Sequence, residues 1–244
     1  MKRIAMIPAR YAATRFPFKL MQLLGNKTVI RHTYDNTVAT KLFDDVFVVT
    51  DHEIIFNEIQ SHGGKAIMSV RLHESGSDRI AEAVATMNVD IIVNIQGDEP
   101  FVQKEPLRHL LEAFMDETVQ VASLMKKFTD SSLVGNPNYV KVVVDKNNDS
   151  LLFSRSVIPF KRDEDLSADY FEHIGVYAFR KKALIDFTQW PIAKTEQVEK
   201  LEQLRYLHNG IRIRMIETDA VSVKIDVPED LVNAEAFLQS LPSK

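Results

Sequence analysis

Between Asp90 and Phe101 the chain reads DIIVNIQGDEPF, and this stretch limits the possible folds more than any other. Ile91, Ile92, Val93 and Ile95 form an apolar run too short for an independent helix and rich in β-branched residues. Such a run is a strand covered on both faces, as in the middle of a parallel sheet. It breaks at once into Gln96-Gly97-Asp98-Glu99-Pro100, where Gly97 frees the backbone and Pro100 ends the strand. Ligands of open α/β sheets bind beyond the carboxyl ends of strands. A carboxylate there suits a hard cation such as Mg²⁺, which takes substrate phosphates as further partners. An acidic turn at a strand end is the other reading of the same residues.

The preceding chain supplies more strands of this kind. Ile4 to Ile7 reads as a buried strand ended by Pro8. The loop that follows, RYAATRFPFK, carries Arg10, Arg15 and Lys19, with no acidic residue and no glycine. It is neither a Walker loop nor a Gly-rich dinucleotide turn. Phosphate there would be held by cationic side chains; a solvated basic loop is the alternative. Val29 to Thr40 reads as a helix, Val46 to Val49 as a strand, Ile54 to His62 as a helix stopped by Gly63-Gly64, and Ala66 to Met68 as a short strand. HESGSDRI then opens a helix to Met87, with Ser75 and Gly76 at its start: an anion site, or an ordinary N-cap followed by Asp78. After the Asp90 strand, Pro106 begins another helix. Strands alternating with helices imply a mostly parallel sheet in an α/β layer fold.

From Val121 the pattern changes. Val121 to Met125, Val140 to Val144, Leu151 to Phe153 and Phe171 to Phe179 read as strands, the second and third joined by the turn KNND. No Pro/Gly/Ser-rich linker precedes them, so residues 121–180 are expected to be an antiparallel extension of one domain spanning 1–244. Glu196 to His208 reads as one helix stopped by Gly210, with Val198, Leu201, Leu204 and Leu207 as its buried stripe. Glu199, Glu202, Gln203 and Tyr206 would then share an adjacent face. Ile211 to Ile216 is a strand, and Ser222 to Val227 a further one that delivers Asp226 before Pro228 opens the last helix.

Composition narrows the function. The 244 residues include no cysteine, which removes disulfides, thiolate metal sites and cysteine nucleophiles. A net charge of −4 argues against general nucleic-acid binding. No signal peptide or apolar span of about 20 residues can be drawn, so a cytoplasmic protein without membrane insertion is expected.

Six segments in order, IPARYAATRFPFK, HESGSDRI, VNIQGDEP, LLFSRSVIPF, FEHIGVYAF and KLEQLRYL, resemble the sugar cytidylyltransferases, and among them the 3-deoxy-manno-octulosonate (Kdo) branch. The resemblance covers essentially the whole chain. It implies a three-layer nucleotide-diphospho-sugar transferase fold and the reaction of CTP with Kdo to give CMP-Kdo and pyrophosphate, for lipopolysaccharide biosynthesis, with Mg²⁺ as cofactor and a homodimer as the assembly. On the matching positions it implies Arg10, Arg15 and Lys19 on the triphosphate, and Ser75, Gly76 and Arg79 near the nucleotide. It puts Asp98 and Asp226 on the metal, with Lys19 counted among the catalytic groups. Arg155, His173, Glu202 and Gln203 would face the sugar acid, Arg155 through its carboxylate. Such chemistry rests on positioning and on stabilising charge at phosphoryl oxygens.

The chain departs from the family where Phe18-Lys19-Leu20 replaces the usual Gly-Lys-Pro, at Lys224, where the branch often has a small residue, and in the charged loop 161–169. Two other functions compete with this reading: a sialic-acid cytidylyltransferase, which shares the N-terminal loop, and a non-catalytic nucleotidyltransferase-like regulatory subunit. The second would be expected to have lost phosphate or metal groups, and all of them are retained here.

Overall fold

The computed structural model describes residues 1–12, 16–71, 73, 75–163, 165–220 and 223–241. Arg15 and Ser222 therefore lie outside the described residues. Two compact units are present: Met1–Lys104 with Val221–Lys244, and Glu105–Ala220.

The first unit is built on β1 (Arg3–Ala9), followed by a short hairpin of β2 (Leu23–Leu24) and β3 (Lys27–Thr28). α1 (Val29–Ala39) is capped by Thr28, whose hydroxyl accepts from the Arg31 amide. β4 (Asp45–Thr50), α2 (Glu53–Ser61), β5 (Ala66–Met68), α3 (Gly76–Val84) and β6 (Ile91–Asn94) follow. The strands run in the order β6-β1-β4-β5, all parallel, with Ile4 opposite both Asp45 and Ile92. Every residue of β6 is buried, as a strand covered on both faces requires. From β1 the chain moves outward through β4 and β5, then returns to the other side of β1 for β6. That reversal creates a crevice at the carboxyl ends of β1 and β6, where a ligand site is expected.

Pro8 does not end the first strand, which runs on to Ala9, with Pro8 opposite Val49. The reason is that β6 stops pairing at Asn94, opposite Met6. Beyond it, β1 needs no donor on that side, and a proline is tolerated.

α4 (Lys104–Glu112) leads into the second unit, and a 3₁₀ turn, Ala113–Met115, extends it. β7 (Val121–Lys127) pairs antiparallel with β10 (Phe171–Arg180) and parallel with β11 (Ile213–Glu217). β8 (Lys141–Val144) and β9 (Ser150–Ser154) form the expected hairpin, turned by Asn148 at φ 61°, and β8 also pairs with β10. α5 (Lys181–Gln189) packs behind β10.

The single helix expected over Glu196 to His208 is instead two, α6 (Lys194–Glu199) and α7 (Leu204–His208), separated by Lys200 at φ 54°. Val198, expected in the stripe, is 76% exposed. The cause is a buried ion pair. Glu196 receives hydrogen bonds from Arg205 Nε (2.9 Å) and Nη2 (2.6 Å), nine residues on. On a continuous helix those residues would sit on opposite faces, about 13 Å apart along the axis. The chain must fold back for the carboxylate to meet the guanidinium, which lies 4.1 Å from the centre of the Phe187 ring.

α8 (Pro228–Ser240) belongs to the first unit, and its Phe237 meets Phe101 edge-on at 4.7 Å. No helix among the described residues is long and apolar enough to cross a membrane.

Candidate active site

In the first unit, Lys19 stands on the 3₁₀ turn Lys19–Met21, just after the loop that leaves β1. Its ammonium lies 2.5 Å from Asp98 Oδ2 and 2.9 Å from Asp226 Oδ1, across 207 residues of sequence in the second case. Asp98 projects from the turn after β6. Gly97 allows that turn to lie against β1, since a Cβ there would come within 3.1 Å of the Pro8 carbonyl oxygen. The strand expected to deliver Asp226 is absent among the described residues 223–227. Hydrogen bonds position this segment instead, beginning with the Ile225 amide, which donates to the Asp98 carbonyl at 3.0 Å.

Asp226 does not cap the helix that follows. The amides of Asp226 and Val227 both donate to Asp230 Oδ2, at 2.8 and 3.0 Å. The Asp226 carboxylate faces Lys19 and Lys224 instead, with Lys224 Nζ 3.2 Å from Oδ2. Burial alone would raise its pKa, but the hydrogen bond from Lys19 and the charge of Lys224 hold it below the usual carboxylate range. The neighbouring Glu99 is pushed up to about 7, first by burial and then by the charge of Asp98.

Lys19, Asp98 and Asp226 line a cleft of about 360 Å³ bounded by Pro8, Arg10, Gly76 and Gly97 as well. Arg10 is exposed there, with Nη2 donating to the His73 carbonyl at 3.1 Å. Ser75 is the N-cap of α3: its hydroxyl accepts from the Asp78 amide at 3.1 Å and donates to Asp78 Oδ2 at 2.9 Å. Gly76 fits against Pro8, whose Cγ a Cβ would approach to 3.1 Å.

Arg79, expected near the nucleotide, is only 1% exposed. It donates to the Ala9 carbonyl (2.7 Å) and to Asp51 Oδ2 (2.6 Å), tying together the ends of β1 and β4. Burial opposes ionisation of Asp51, yet the hydrogen bond and charge of Arg79 prevail and lower its pKa. Arg79 thus supports the floor of the cleft from inside.

Phe18 explains one departure from the family. Its φ of 57° and ψ of 25° are left-handed, a conformation natural to glycine and costly for a bulky residue by roughly 1–2 kcal/mol. Its ring packs on Tyr11 at 4.6 Å, which offsets part of that cost. Phe18→Gly is therefore expected to leave stability unchanged or raise it by up to about 1 kcal/mol, while Phe18→Val lowers it. Urea denaturation of the two variants checks this; equal losses in both would show that the Tyr11 contact outweighs the backbone.

In the second unit, β10 presents His173 to Ser123, with Nε2 and Oγ 3.0 Å apart, and to Gln203, whose Nε2 is 3.4 Å from Nδ1. Residues four apart on a regular strand are separated by about 13 Å. The register shift between Ile174 and Tyr177 contracts β10, and the His173 and Tyr177 rings come within 5.2 Å. Burial pushes His173 down to about 3, so its ring is neutral. Tyr177 is raised well above its ordinary value, by burial and then by the charge of Glu202. Glu202 and Gln203 thus reach the same neighbourhood through the break between α6 and α7, and not along one face of a continuous helix.

Because unfolded His173 titrates near 6.5, it takes up a proton on unfolding between that value and about 3. Its folded pKa is depressed, so the stability it contributes is present above pH 6.5 and lost as pH falls. The slope is at most about 1.4 kcal/mol per pH unit. Comparing unfolding of wild type and His173→Gln at pH 7 and pH 5 tests this. The variant should lose less, and equal losses would show the ring to be hydrated.

Arg155 is not presented as a fork for a carboxylate. Nε donates to the Glu199 carbonyl (2.7 Å), Nη1 to that of Pro137 (2.9 Å) and Nη2 to that of Lys200 (3.5 Å). Two of these carbonyls are the orphan acceptors left where α6 ends, and a guanidinium satisfies them. Glu199 in turn accepts from the Arg155 amide and the Ser154 hydroxyl.

In the sequence Lys224 stands out only as an unusual residue. Its spacing is the available signal: positions i and i+2 of an extended segment point to one side, which places Lys224 beside the Asp226 carboxylate.

A family model described as cytidylyltransferase matches residues 4–213. A 3-deoxy-manno-octulosonate cytidylyltransferase of Flavobacterium johnsoniae is 59% identical over 99% of this chain and 100% of its own. One from Christiangramia forsetii is 52% identical over 96% of each chain. The solved structure of a CMP:2-keto-3-deoxy-manno-octonic acid synthetase complexed with CTP superposes with a TM-score of 0.94 at 37% identity, covering 99% of this chain and 100% of that one. With an α/β fold, a mostly parallel sheet and likeness of this extent, the chain belongs to the cytidylyltransferase family and, within it, to the 3-deoxy-manno-octulosonate cytidylyltransferases.

Proposed function

We propose that this enzyme activates Kdo with CTP. An oxygen of the sugar acid, the anomeric hydroxyl, bonds to the α-phosphorus, and the bond from that phosphorus to the departing pyrophosphate breaks. The observation that carries the reading is full-length likeness at 59% identity to a 3-deoxy-manno-octulosonate cytidylyltransferase. Arg10 and Lys19 would hold the triphosphate, and the α3 N-terminus at Ser75 and Gly76 the nucleotide side of the cleft. His173, Glu202 and Gln203 are the candidates for the sugar hydroxyls. A neutral His173 can both accept and donate a hydrogen bond, which suits a hydroxyl-rich substrate. Arg155 holds the turn that carries Glu202 and Gln203.

The donor set fits Mg²⁺. Asp98 and Asp226 already share one cationic partner, Lys19, and neither caps a helix. Among the described residues no group of three or more His, Asp or Glu converges, so phosphate and water oxygens would complete the shell. When bound, Mg²⁺ would neutralise phosphate charge and favour ionisation of the attacking hydroxyl. The assembly proposed is a homodimer through the second unit, where Leu151, Leu152, Val157 and Phe160 are exposed. The setting proposed is the cytoplasm, as a supplier of activated Kdo for lipopolysaccharide synthesis.

The test is pyrophosphate release from CTP with Kdo, with a sialic acid, and with neither, in the presence and absence of Mg²⁺. Turnover that needs Kdo and Mg²⁺ is the expected result. Turnover with the sialic acid but not with Kdo would overturn the reading.

A further inference from the structure

Two ammonium groups, not one, stand on the Asp98 and Asp226 pair. Lys19 Nζ bridges Asp98 Oδ2 and Asp226 Oδ1. Lys224 Nζ lies 3.2 Å from Asp226 Oδ2 and 4.0 Å from Asp98 Oδ2. The four formal charges cancel and Glu99 is the remaining acid beside them, so the chain itself offsets most of the local field that would draw a divalent cation. The two lysines are not equivalent. Lys19 has 16% of its side chain exposed and sits within the cleft, on the turn assigned to the triphosphate. The Lys224 side chain is 47% exposed and comes from a segment held through its backbone, by the Ile225 amide on the Asp98 carbonyl and the Asp226 and Val227 amides on Asp230. It can withdraw toward solvent without disturbing those bonds.

We propose that Lys224 is an internal competitor for the divalent cation, an ammonium that keeps the carboxylate pair neutral until a nucleoside triphosphate enters the cleft. The proposal rests on the reading of Asp98 and Asp226 as the metal-holding pair. An ammonium this close repels a divalent ion at the same carboxylates, so the ion binds weakly to the enzyme alone. A triphosphate supplies new negative charge beside Lys224. The ammonium then has phosphate oxygens to pair with, and the carboxylates become available to the metal. Lys224 thereby couples metal entry to nucleotide entry and discourages occupation by the metal alone.

The experiment titrates Mn²⁺ alone, without nucleotide, into wild type, Lys224→Gln, Lys224→Ala and Lys224→Arg at one ionic strength. Free Mn²⁺ is read by electron paramagnetic resonance, and far-ultraviolet circular dichroism checks that each variant is folded. Lys224→Gln and Lys224→Ala should tighten Mn²⁺ binding by about ten-fold, which corresponds to about 1.4 kcal/mol. Lys224→Arg keeps the charge and should stay near wild type. An unchanged dissociation constant in the neutral variants, or the same gain with arginine, would overturn the proposal. Adding Asp226→Asn to Lys224→Gln distinguishes the role of Lys224 from the metal site beneath it. Loss of the tightened binding is expected; its persistence would place the ion elsewhere and overturn the metal reading together with the role of Lys224.

Discussion

Asp98→Asn and Asp226→Asn should each lower turnover by at least about a hundredfold, a barrier increase of roughly 3 kcal/mol, while the protein remains folded. The substitution keeps shape and removes charge. Neither carboxylate is needed to end or begin an element: Asp230 holds the Asp226 and Val227 amides, and Asp98 ties down the 223–226 segment through its backbone carbonyl. Each change leaves Lys19 with one carboxylate partner in place of two. The double variant should cost much less than the product of the singles, because groups that act as a unit are not additive. Steady-state pyrophosphate release, together with urea unfolding of the same preparations, provides the measurement. A fully active Asp226→Asn enzyme would reduce Asp226 to a packing residue and remove half of the proposed metal site.

Arg79→Met should destabilise the protein by about 1–3 kcal/mol, the loss typical when hydrogen-bonding groups lose a buried charged partner. Asp51 would keep a carboxylate whose principal partner has gone, and the Ala9 carbonyl would lose its donor. The double change Arg79→Met with Asp51→Leu should recover part of the loss, since no charge is then stranded. The pH dependence gives a second reading. The Asp51 pKa is lowered in the folded state, so its contribution is present above the unfolded value of about 3.9. It is lost as pH falls through the lower folded value. The gap between wild type and Arg79→Met should therefore hold at neutral pH and narrow only in strong acid. A loss below about 1 kcal/mol at pH 7 would mean that water replaces the guanidinium, and that the ends of β1 and β4 do not depend on it.

Much of the first unit was legible before any coordinates. The runs ending at Ile7, Val49, Met68 and Ile95 read as strands from apolar continuity, and they are β1, β4, β5 and β6. The KNND turn and the Ser75 start of α3 were readable because Asn, Asp and Ser bond to their own backbone over two or three residues. Two departures arise from contacts remote in sequence. Glu196 to His208 has good helical periodicity, yet Arg205 draws Glu196 across nine residues and breaks the helix. Pro8 looked like a stop because nothing in the sequence tells where β6 ceases to pair.

The same division runs through the site. The sequence by itself determined the parallel β/α alternation and the cluster of cations and carboxylates at strand ends. It could do so because burial on both faces and turn chemistry are local properties, visible within about ten residues. Only the tertiary structure decided which of those charged groups meet. It placed Lys19 and Lys224 on Asp98 and Asp226, turned Arg79 inward to Asp51, and laid Arg155 against the carbonyls at the end of α6. A charged side chain selects its partner by distance through space and by the cost of leaving water. Neither quantity has a period along the chain.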